Sequence, residues 1–417
     1  MTKPVAFWLA LGWVGFALLP WYLGDGFEPA RSGLTHGLAG DHQRLLPLGV
    51  PLLVALVPML ARQDRAVRGA WLIVAGCSGL IWLVLEGFAI DHRGWSFEWL
   101  SDLFGTSGPT QQGMGYGAFL TMLALLMLLC HDLAWRGLCG GDAFAASALG
   151  LVIGSTALFV FFPIAKVLAS AVEDNAGHLA PASFFAAFFD RSVWGLDCVH
   201  SELRCGVAWN SLFLAVVVGT GTTVLGLACA LIVTRTGFRF KGILRGLTVL
   251  PIITPPFVIG LALILLFGRA GAASTLFADW FGIARSRWIY GFPGVCLAQL
   301  LAFGPIAFLV LIGVVQGISP ALEEAAQTLR ARRWTTFATI SLPLMRPGLA
   351  NAFLLGFVES LADFGNPLVL GGNFEVLSTK IFYAVVGSAH DRGRAAVLAI
   401  VLLGFTLAVF YAQQRWL

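Results

Sequence analysis

The chain has 417 residues, of which 58% are hydrophobic and only 12% charged, with a formal net charge of +4. A soluble globular domain carries about twice that charged fraction, so the composition excludes an ordinary soluble protein. The small positive charge is not gathered into a basic arm, so no nucleic-acid partner is expected. Apolar runs of roughly 20 residues recur along the whole chain, which predicts an all-α polytopic membrane protein.

The apolar runs predict about ten membrane-spanning helices. They lie at roughly 5–23, 45–61, 70–90, 114–131, 146–171, 210–233, 246–268, 289–317, 347–370 and 395–413. The first run has no small-residue cleavage site after it, so it is interpreted as an uncleaved span. Short loops at 62–68 and 235–245 hold clusters of arginine and lysine, which predicts that these loops, and both chain termini, are cytoplasmic.

The sequence contains no motif that would supply catalysis or hold a cofactor. No G-x-x-x-x-G-K-[S/T] stretch is present, so the chain lacks a cradle for nucleotide phosphates. No H-E-x-x-H or G-x-S-x-G pattern offers a metal or nucleophile site. We therefore expect no enzyme activity and no cofactor, and any ATP hydrolysis belongs to another protein.

The chain divides near residue 145 into a four-span region, 1–145, and a second region, 146–417. The first carries no functional motif, and its Glu86 is interpreted as a snorkelling or interface carboxylate rather than a ligand. A long outer loop opens the second region and contains Cys198 and Cys205. Outside a bacterial inner membrane thiols oxidise, so we favour a disulfide between them over two unpaired thiols.

Prolines and carboxylates interrupt two later spans. Pro255 and Pro256 free backbone carbonyls in the seventh span, which must then be buried in protein or face a wet cavity; a simple packing kink is the alternative. In the ninth span Glu359 and Asp363 lie four residues apart on one helical face, followed by Asn366 in a helix-breaking run. Ionisable groups inside spans usually face the bundle interior, so we expect them in a permeation path. The alternative for Asp363 is a helix cap or an arginine partner.

A polar, basic stretch at 319–351 lies between the eighth and ninth spans. Ser319 can cap a helix whose first position is Pro320, and an acidic first turn suits the helix dipole. One apolar stripe follows at helical spacing, formed by Leu322, Ala325, Ala326 and Leu329. A second short helix is expected from about Thr335, ended by Pro343 and Pro347, with one face formed by Phe337, Ile340 and Leu344.

This stretch resembles the EAA loop of the membrane subunits of binding-protein-dependent ABC importers, spacing included. The matching residues are Glu324, Ala325, Ala326, Ile340, Leu342 and Pro343. In that family the loop is a cytoplasmic coupling helix that docks on the ATPase subunit, which implies this role for residues 319–347. The family has glycine where Arg330 stands, and a Cβ there costs about 1 kcal/mol if the left-handed backbone is kept. The alternative is an ordinary solvated amphipathic loop.

The resemblance covers residues 146–417 and implies a type I ABC importer permease core preceded by four extra helices. It implies a location in the bilayer of the bacterial inner membrane and two kinds of partner, cytosolic P-loop ATPase subunits and a periplasmic solute-binding protein. The aromatic and acidic outer loop at 173–210 would either contact that binding protein or pack over the helices.

The run 363–374, together with Pro255-Pro256 and residues 205–210, resembles the ferric-ion branch of these permeases and implies ferric ion as the cargo. Relatives that carry aminoethylphosphonate, thiamine, polyamines or sulfate share the loop, so those solutes remain alternatives. Ferric members have two fused cores, whereas one EAA loop is present here. A second permease core is therefore expected, either from a second copy in a homodimer or from a missing second half of this chain. Because the chain ends just after a span, we favour the missing second half. A secondary transporter predicts inverted repeats, and no clear repeat is visible.

Overall fold

The computed structural model describes residues 3–23, 31–39, 43–60, 65–91, 94–95, 100, 113–173, 180–196, 198, 205–387 and 390–416. Within these residues the regular structure is helical apart from two short antiparallel strand pairs, Tyr22–Leu23 with Gly113–Met114 and Ile90–Asp91 with Gly94–Trp95. The chain forms two compact units. One comprises Met1–Ala169 and Ala176–His178, and the other comprises Ser170–Asn175 and Leu179–Leu417. The functional boundary expected near residue 145 remains a prediction.

The described part of the first unit is mainly helical. Its α-helices are Lys3–Ala17, Gly33–Leu38, Gly49–Val54, Val57–Leu60, Arg65–Ala89, Tyr116–Trp135, Ala143–Thr156 and Phe162–Ser170. The 3-10 helices are Gln43–Leu48 and Leu138–Gly141, and a π-helical turn covers Ala157–Phe161.

A buried ion pair lies inside the first unit. Arg44 donates from Nε to Glu86 Oε1 at 2.9 Å and from Nη2 to the Tyr22 hydroxyl at 3.0 Å. The side chains of Arg44 and Glu86 are only 8% and 11% exposed. Glu86 is therefore held inside the unit by a charge partner and does not snorkel to its surface.

The second unit contains the larger set of helices. Its α-helices are Pro181–Phe188, Arg191–Trp194, Val207–Arg235, Lys241–Val249, Pro256–Phe267, Ala272–Phe281, Phe292–Gly317, Pro320–Thr328, Arg333–Thr336, Leu342–Ala362, Gly365–Leu370, Leu377–Val386 and Arg392–Trp416. A 3-10 turn covers Leu250–Ile253, and a π-helical turn covers Phe337–Ser341.

Eight helices of the described residues are long and apolar enough to cross a membrane. They account for eight of the ten expected spans, whereas the first two expected spans correspond to shorter helices. Lys3–Ala17 has 15 residues, about 22 Å, which is less than the roughly 30 Å hydrocarbon core. In the second expected span, Pro47 lies within the 3-10 helix that precedes a six-residue α-helix. The chain is a multi-pass membrane protein.

Three helices form the centre of the second unit: the long core helix Val207–Arg235, the central helix Phe292–Gly317 and the carboxylate helix Leu342–Ala362. Small residues let them approach closely. A Cβ added at Gly226 would lie 2.8 Å from the backbone nitrogen of Phe308, and one added at Gly219 would lie 3.1 Å from the carbonyl oxygen of Phe353. Close contact through small residues is typical of membrane helix pairs, as expected for the sixth span.

Candidate functional site

The polar stretch between the eighth and ninth expected spans forms a short helix, Pro320–Thr328. We call it the coupling helix after the family loop that its sequence resembles. Its start agrees with the sequence prediction, because Pro320 occupies the first turn and Glu323 lies there too. Ser319 stands at the N-cap, but its side chain makes no capping hydrogen bond. The expected stripe is divided by the fold. Ala326 is buried against its own chain, whereas the other three members, Leu322, Ala325 and Leu329, are exposed.

The coupling helix ends in a left-handed turn at Arg330, where φ is +62°. The Arg330 N–H donates to the Gln327 carbonyl at 2.9 Å, and the Ala331 N–H donates to the Ala326 carbonyl at 3.1 Å. This pair of bonds is the Schellman arrangement, in which glycine normally occupies the left-handed position. The turn therefore keeps the conformation that glycine serves in the family, with an arginine in it.

Glu323 anchors the coupling helix to the rest of the unit. Its Oε1 accepts a hydrogen bond from the Ser341 hydroxyl at 2.9 Å and lies 3.6 Å from Nη2 of Arg235. Arg235 also donates to the carbonyls of Val315 and Ile318, at 3.2 and 2.9 Å. Sequence reasoning emphasised Glu324 and missed this anchor. The signal was a basic residue ending one span and a carboxylate in the first turn of the next polar helix.

The segment after the coupling helix differs from expectation. A helical turn begins at Arg333, and the π turn at Phe337–Ser341 leads directly into the carboxylate helix. The prediction that Pro343 and Pro347 end a separate helix is therefore wrong. Pro343 lies in the first turn of the carboxylate helix, where a missing N–H is tolerated, and Pro347 lies inside it. Ile340, Leu342 and Pro343 are half-buried at this junction.

Glu359 and Asp363 line one cavity of about 370 Å³ in the second unit. Its other lining residues include Pro256, Phe257, Phe303 and Phe364. Pro255 stands beside it as the N-cap of Pro256–Phe267. The fold thus brings the carboxylates of the ninth expected span to the proline break of the seventh. We call this space the acidic cavity.

Asp363 organises the backbone break beside the acidic cavity. The carboxylate helix ends at Ala362, and Asp363 Oδ1 accepts from the backbone N–H groups of Gly365 and Asn366, at 3.0 and 3.2 Å. Oδ2 accepts from the side-chain amides of Asn366 and Gln299, at 2.8 and 2.9 Å. The cap considered from sequence is present, and Asp363 also faces the cavity. Asn366 is fully buried behind it.

Gln299 and Ser360 complete this network, and sequence reasoning missed both. Gln299 is fully buried on the central helix, and its Oε1 accepts a hydrogen bond from the Ser360 hydroxyl at 2.7 Å. A buried amide inside a strongly apolar helix was the available signal. Glu359, in contrast, makes no hydrogen bond or ion pair with any residue that the structure describes. Among the described residues, one carboxylate therefore accepts four hydrogen bonds and the other accepts none.

The loop before the long core helix holds the two cysteines. The sulfur atoms of Cys198 and Cys205 are bonded to each other, with their Cα atoms 4.9 Å apart. In the same region, Asp190 caps a short helix and lies 3.1 Å from Nη2 of Arg394. The pKa of Asp190 is lowered from its usual value, chiefly because its carboxylate accepts the backbone N–H of Ser192, with Arg394 adding to the effect.

Comparison with known proteins gives one consistent assignment. Residues 222–417 match the family described as "Binding-protein-dependent transport system inner membrane component". The chain is 39% identical over 308 residues to the ferric transport system permease protein FbpB of Actinobacillus pleuropneumoniae, covering 73% of this chain and 42% of that protein. It is 30% identical over 265 residues to the sulfate transport system permease protein CysW of Synechocystis, covering 62% of this chain and 91% of that protein.

A similar fold occurs in the crystal structure of a bacterial ABC transporter involved in the import of the acidic polysaccharide alginate. The TM-score is 0.55 at 18% identity, covering 67% of this chain and 98% of that one. The chain spans less than half the length of the ferric relatives that it matches. On these matches, the chain belongs to the family of inner-membrane components of binding-protein-dependent transport systems.

Proposed function

We propose that this chain is the transmembrane subunit of an ATP-driven importer, and that its cargo is ferric ion delivered by a periplasmic binding protein. Two relatives at 39% identity are ferric transport permeases, whereas molybdenum and sulfate permeases match at 29–32% identity. Sulfate and molybdenum therefore stand as the second choice of cargo. Membership of the importer family argues against the secondary transporter considered from sequence.

The coupling helix is the observation that carries this proposal. Glu323 contacts the end of the long core helix and the π turn. A displacement of the coupling helix would therefore be transmitted to the membrane-spanning helices. Its outward face presents Leu322, 46% exposed, and Leu329, 83% exposed, together with Glu324. An apolar face with one carboxylate that has no partner among the described residues fits a groove on another protein. We assign that groove to a cytosolic ATPase subunit.

Replacing Glu324 tests the coupling role. If the docked carboxylate is desolvated and paired, Glu324→Ala costs on the order of 2–5 kcal/mol, more than a tenfold loss of ATPase affinity. Gln327→Ala, at an exposed position of the same helix, is the matched control. We expect the ATPase to co-purify with wild type and the control but not with Glu324→Ala. Wild-type recovery and uptake in Glu324→Ala would refute the coupling role.

The acidic cavity is the proposed segment of the translocation path. Carboxylate oxygens suit hard cations, and Glu359 is the carboxylate with free acceptors, whereas Asp363 is occupied in holding the break. No group of three or more metal-binding side chains occurs among the described residues. Two carboxylates suit passage rather than permanent binding. Glu359→Gln is expected to reduce uptake without lowering the unfolding temperature, and Asp363→Asn to lower both.

The proposed assembly has an inside and an outside. We place both termini and the coupling helix in the cytoplasm, and the Cys198–Cys205 disulfide in the periplasm, where a binding protein would dock. Residues 146–417 would form the permease core and 1–145 an accessory region. One core offers one ATPase dock, so the complete importer needs a second core, supplied by another copy or by a longer form of the chain.

A further inference from the structure

A second cavity lies at the opposite end of the unit from the coupling helix. Its volume is about 790 Å³, and Asn210 on the long core helix lines it. Asn210 is 25 residues before Arg235, the residue that contacts Glu323 of the coupling helix. At about 1.5 Å per residue, the two ends are about 38 Å apart along the helix. The cavity therefore lies at the far end of the long core helix, which is the periplasmic side in the proposed orientation, and we call it the outer pocket.

The outer pocket is lined by hydrogen-bond donors that have no partner among the residues that the structure describes. Arg269, Arg287, Tyr290 and Asn373 all line it. None of these four side chains has a hydrogen bond or ion pair with any other residue that the structure describes. Asn210, in contrast, already donates to the Glu375 carbonyl at 3.0 Å. Two exposed arginines, an exposed asparagine and the half-buried Tyr290 thus border one open concave space.

The positive charge of the lining favours an anionic ligand. The described lining residues include two arginines and no carboxylate. Paired guanidinium groups offer forked donors that match the oxygens of carboxylate and phosphate groups. We propose that the outer pocket binds a small oxyanion of the phosphate or carboxylate class. Small-molecule sites in proteins are usually concave, so the shape of this pocket favours a small ligand over a flat protein partner.

The outer pocket and the acidic cavity follow one another along the chain. Asp363 caps the short helix Gly365–Leu370, and the outer-pocket residues Gly372 and Asn373 come directly after it. Six helical residues span about 9 Å. The lining changes from two arginines to two carboxylates over this distance. If the proposed function holds, the proposed anion site lies beside the path that leads the cargo to Glu359.

Binding of inorganic phosphate to the full chain in lipid nanodiscs tests the pocket. Arg269→Gln with Arg287→Gln removes both guanidinium groups. Arg285→Gln is the matched control, because Arg285 lies in the same segment but pairs with Asp279 and does not line the pocket. We expect saturable phosphate binding in wild type and the control, and at least a ~10-fold weaker affinity in the double variant. Sodium chloride at equal ionic strength should not displace the phosphate.

Three binding results would each overturn the proposal, and a fourth concerns docking. The three are absence of saturable binding in wild type, an equal loss in Arg285→Gln, and equal displacement by chloride. Arginine-dependent docking of a binding protein without phosphate binding would also overturn it, since the arginines would then serve protein carboxylates. The outcome is independent of the importer assignment. Saturable phosphate binding with no ferric uptake would leave the oxyanion site standing and would refute the proposed cargo.

Discussion

Replacing Arg330 by glycine is expected to strengthen the turn that ends the coupling helix. The backbone there has φ of +62° and closes two hydrogen bonds. A side chain with a Cβ costs roughly 1–2 kcal/mol in this conformation. Glycine removes that cost, but the greater conformational freedom of its unfolded chain offsets about 0.4–1 kcal/mol of the gain. The net gain relative to alanine at the same position is about 1 kcal/mol, or about a fivefold change in local opening.

Hydrogen exchange at the Ala331 amide measures this difference, because that N–H donates to the Ala326 carbonyl and so closes the turn at Arg330. Arg330→Ala is the control, since it removes the charge and keeps the Cβ. We expect exchange about fivefold slower in Arg330→Gly than in Arg330→Ala. Equal or faster exchange in the glycine variant would refute the strain argument.

The same two variants separate strain from contact. If Arg330 only fills the turn, uptake and ATPase recovery in Arg330→Gly equal or exceed those of wild type. If the guanidinium contacts the ATPase, both variants lose ATPase recovery to the same degree. The two variants therefore distinguish backbone strain at Arg330 from a contact of its guanidinium group with the ATPase.

Four other outcomes are expected. The lowered pKa of Asp190 means that its contribution to stability is complete above the ordinary carboxyl range and is lost as pH falls through the lowered pKa; Asp190→Asn should remove this acid dependence of thermal unfolding, and an unchanged profile would contradict it. Cys198 and Cys205 should resist alkylation in intact membranes until a reductant is added, and ready labelling would exclude the disulfide. Gln299→Leu should cost about 1–3 kcal/mol by leaving the buried carboxylate network short of a donor, lowering the unfolding midpoint, whereas Gln316→Leu, exposed on the same helix, should not. Cross-linkers on the carboxylate helix should capture a second permease core, and capture of none would oppose the two-core path.

Local sequence rules predicted the features that depend on neighbouring residues. Pro320 marks the start of the coupling helix, as the preference of proline for the first helical turn predicts. The helix break is displaced from the expected breakers: it falls at Asp363 and Phe364, and Gly365 and Pro367 lie inside the next helix. The left-handed turn at Arg330 was readable only through the family resemblance, because arginine itself gives no signal for positive φ.

Features that depend on distant partners were missed. A π turn is not visible in a pattern of apolar residues, so the continuation of the helix through Pro343 was not predicted. Gln299 meets Asp363 across 64 residues, and Arg235 meets Glu323 across 88. Neither spacing belongs to a local rule. Such contacts follow from how the helices pack, which periodicity alone does not determine.

The long core helix has a mechanical consequence. It runs for 29 residues without a proline, whereas its two neighbours carry Pro305 and Pro347 inside them. Proline is a common cause of a helix kink, so this helix lacks a kink residue that both of its neighbours carry. One end is tied to the coupling helix and the other borders the outer pocket. A tilt imposed at the coupling-helix end would therefore displace the outer-pocket end of the same helix.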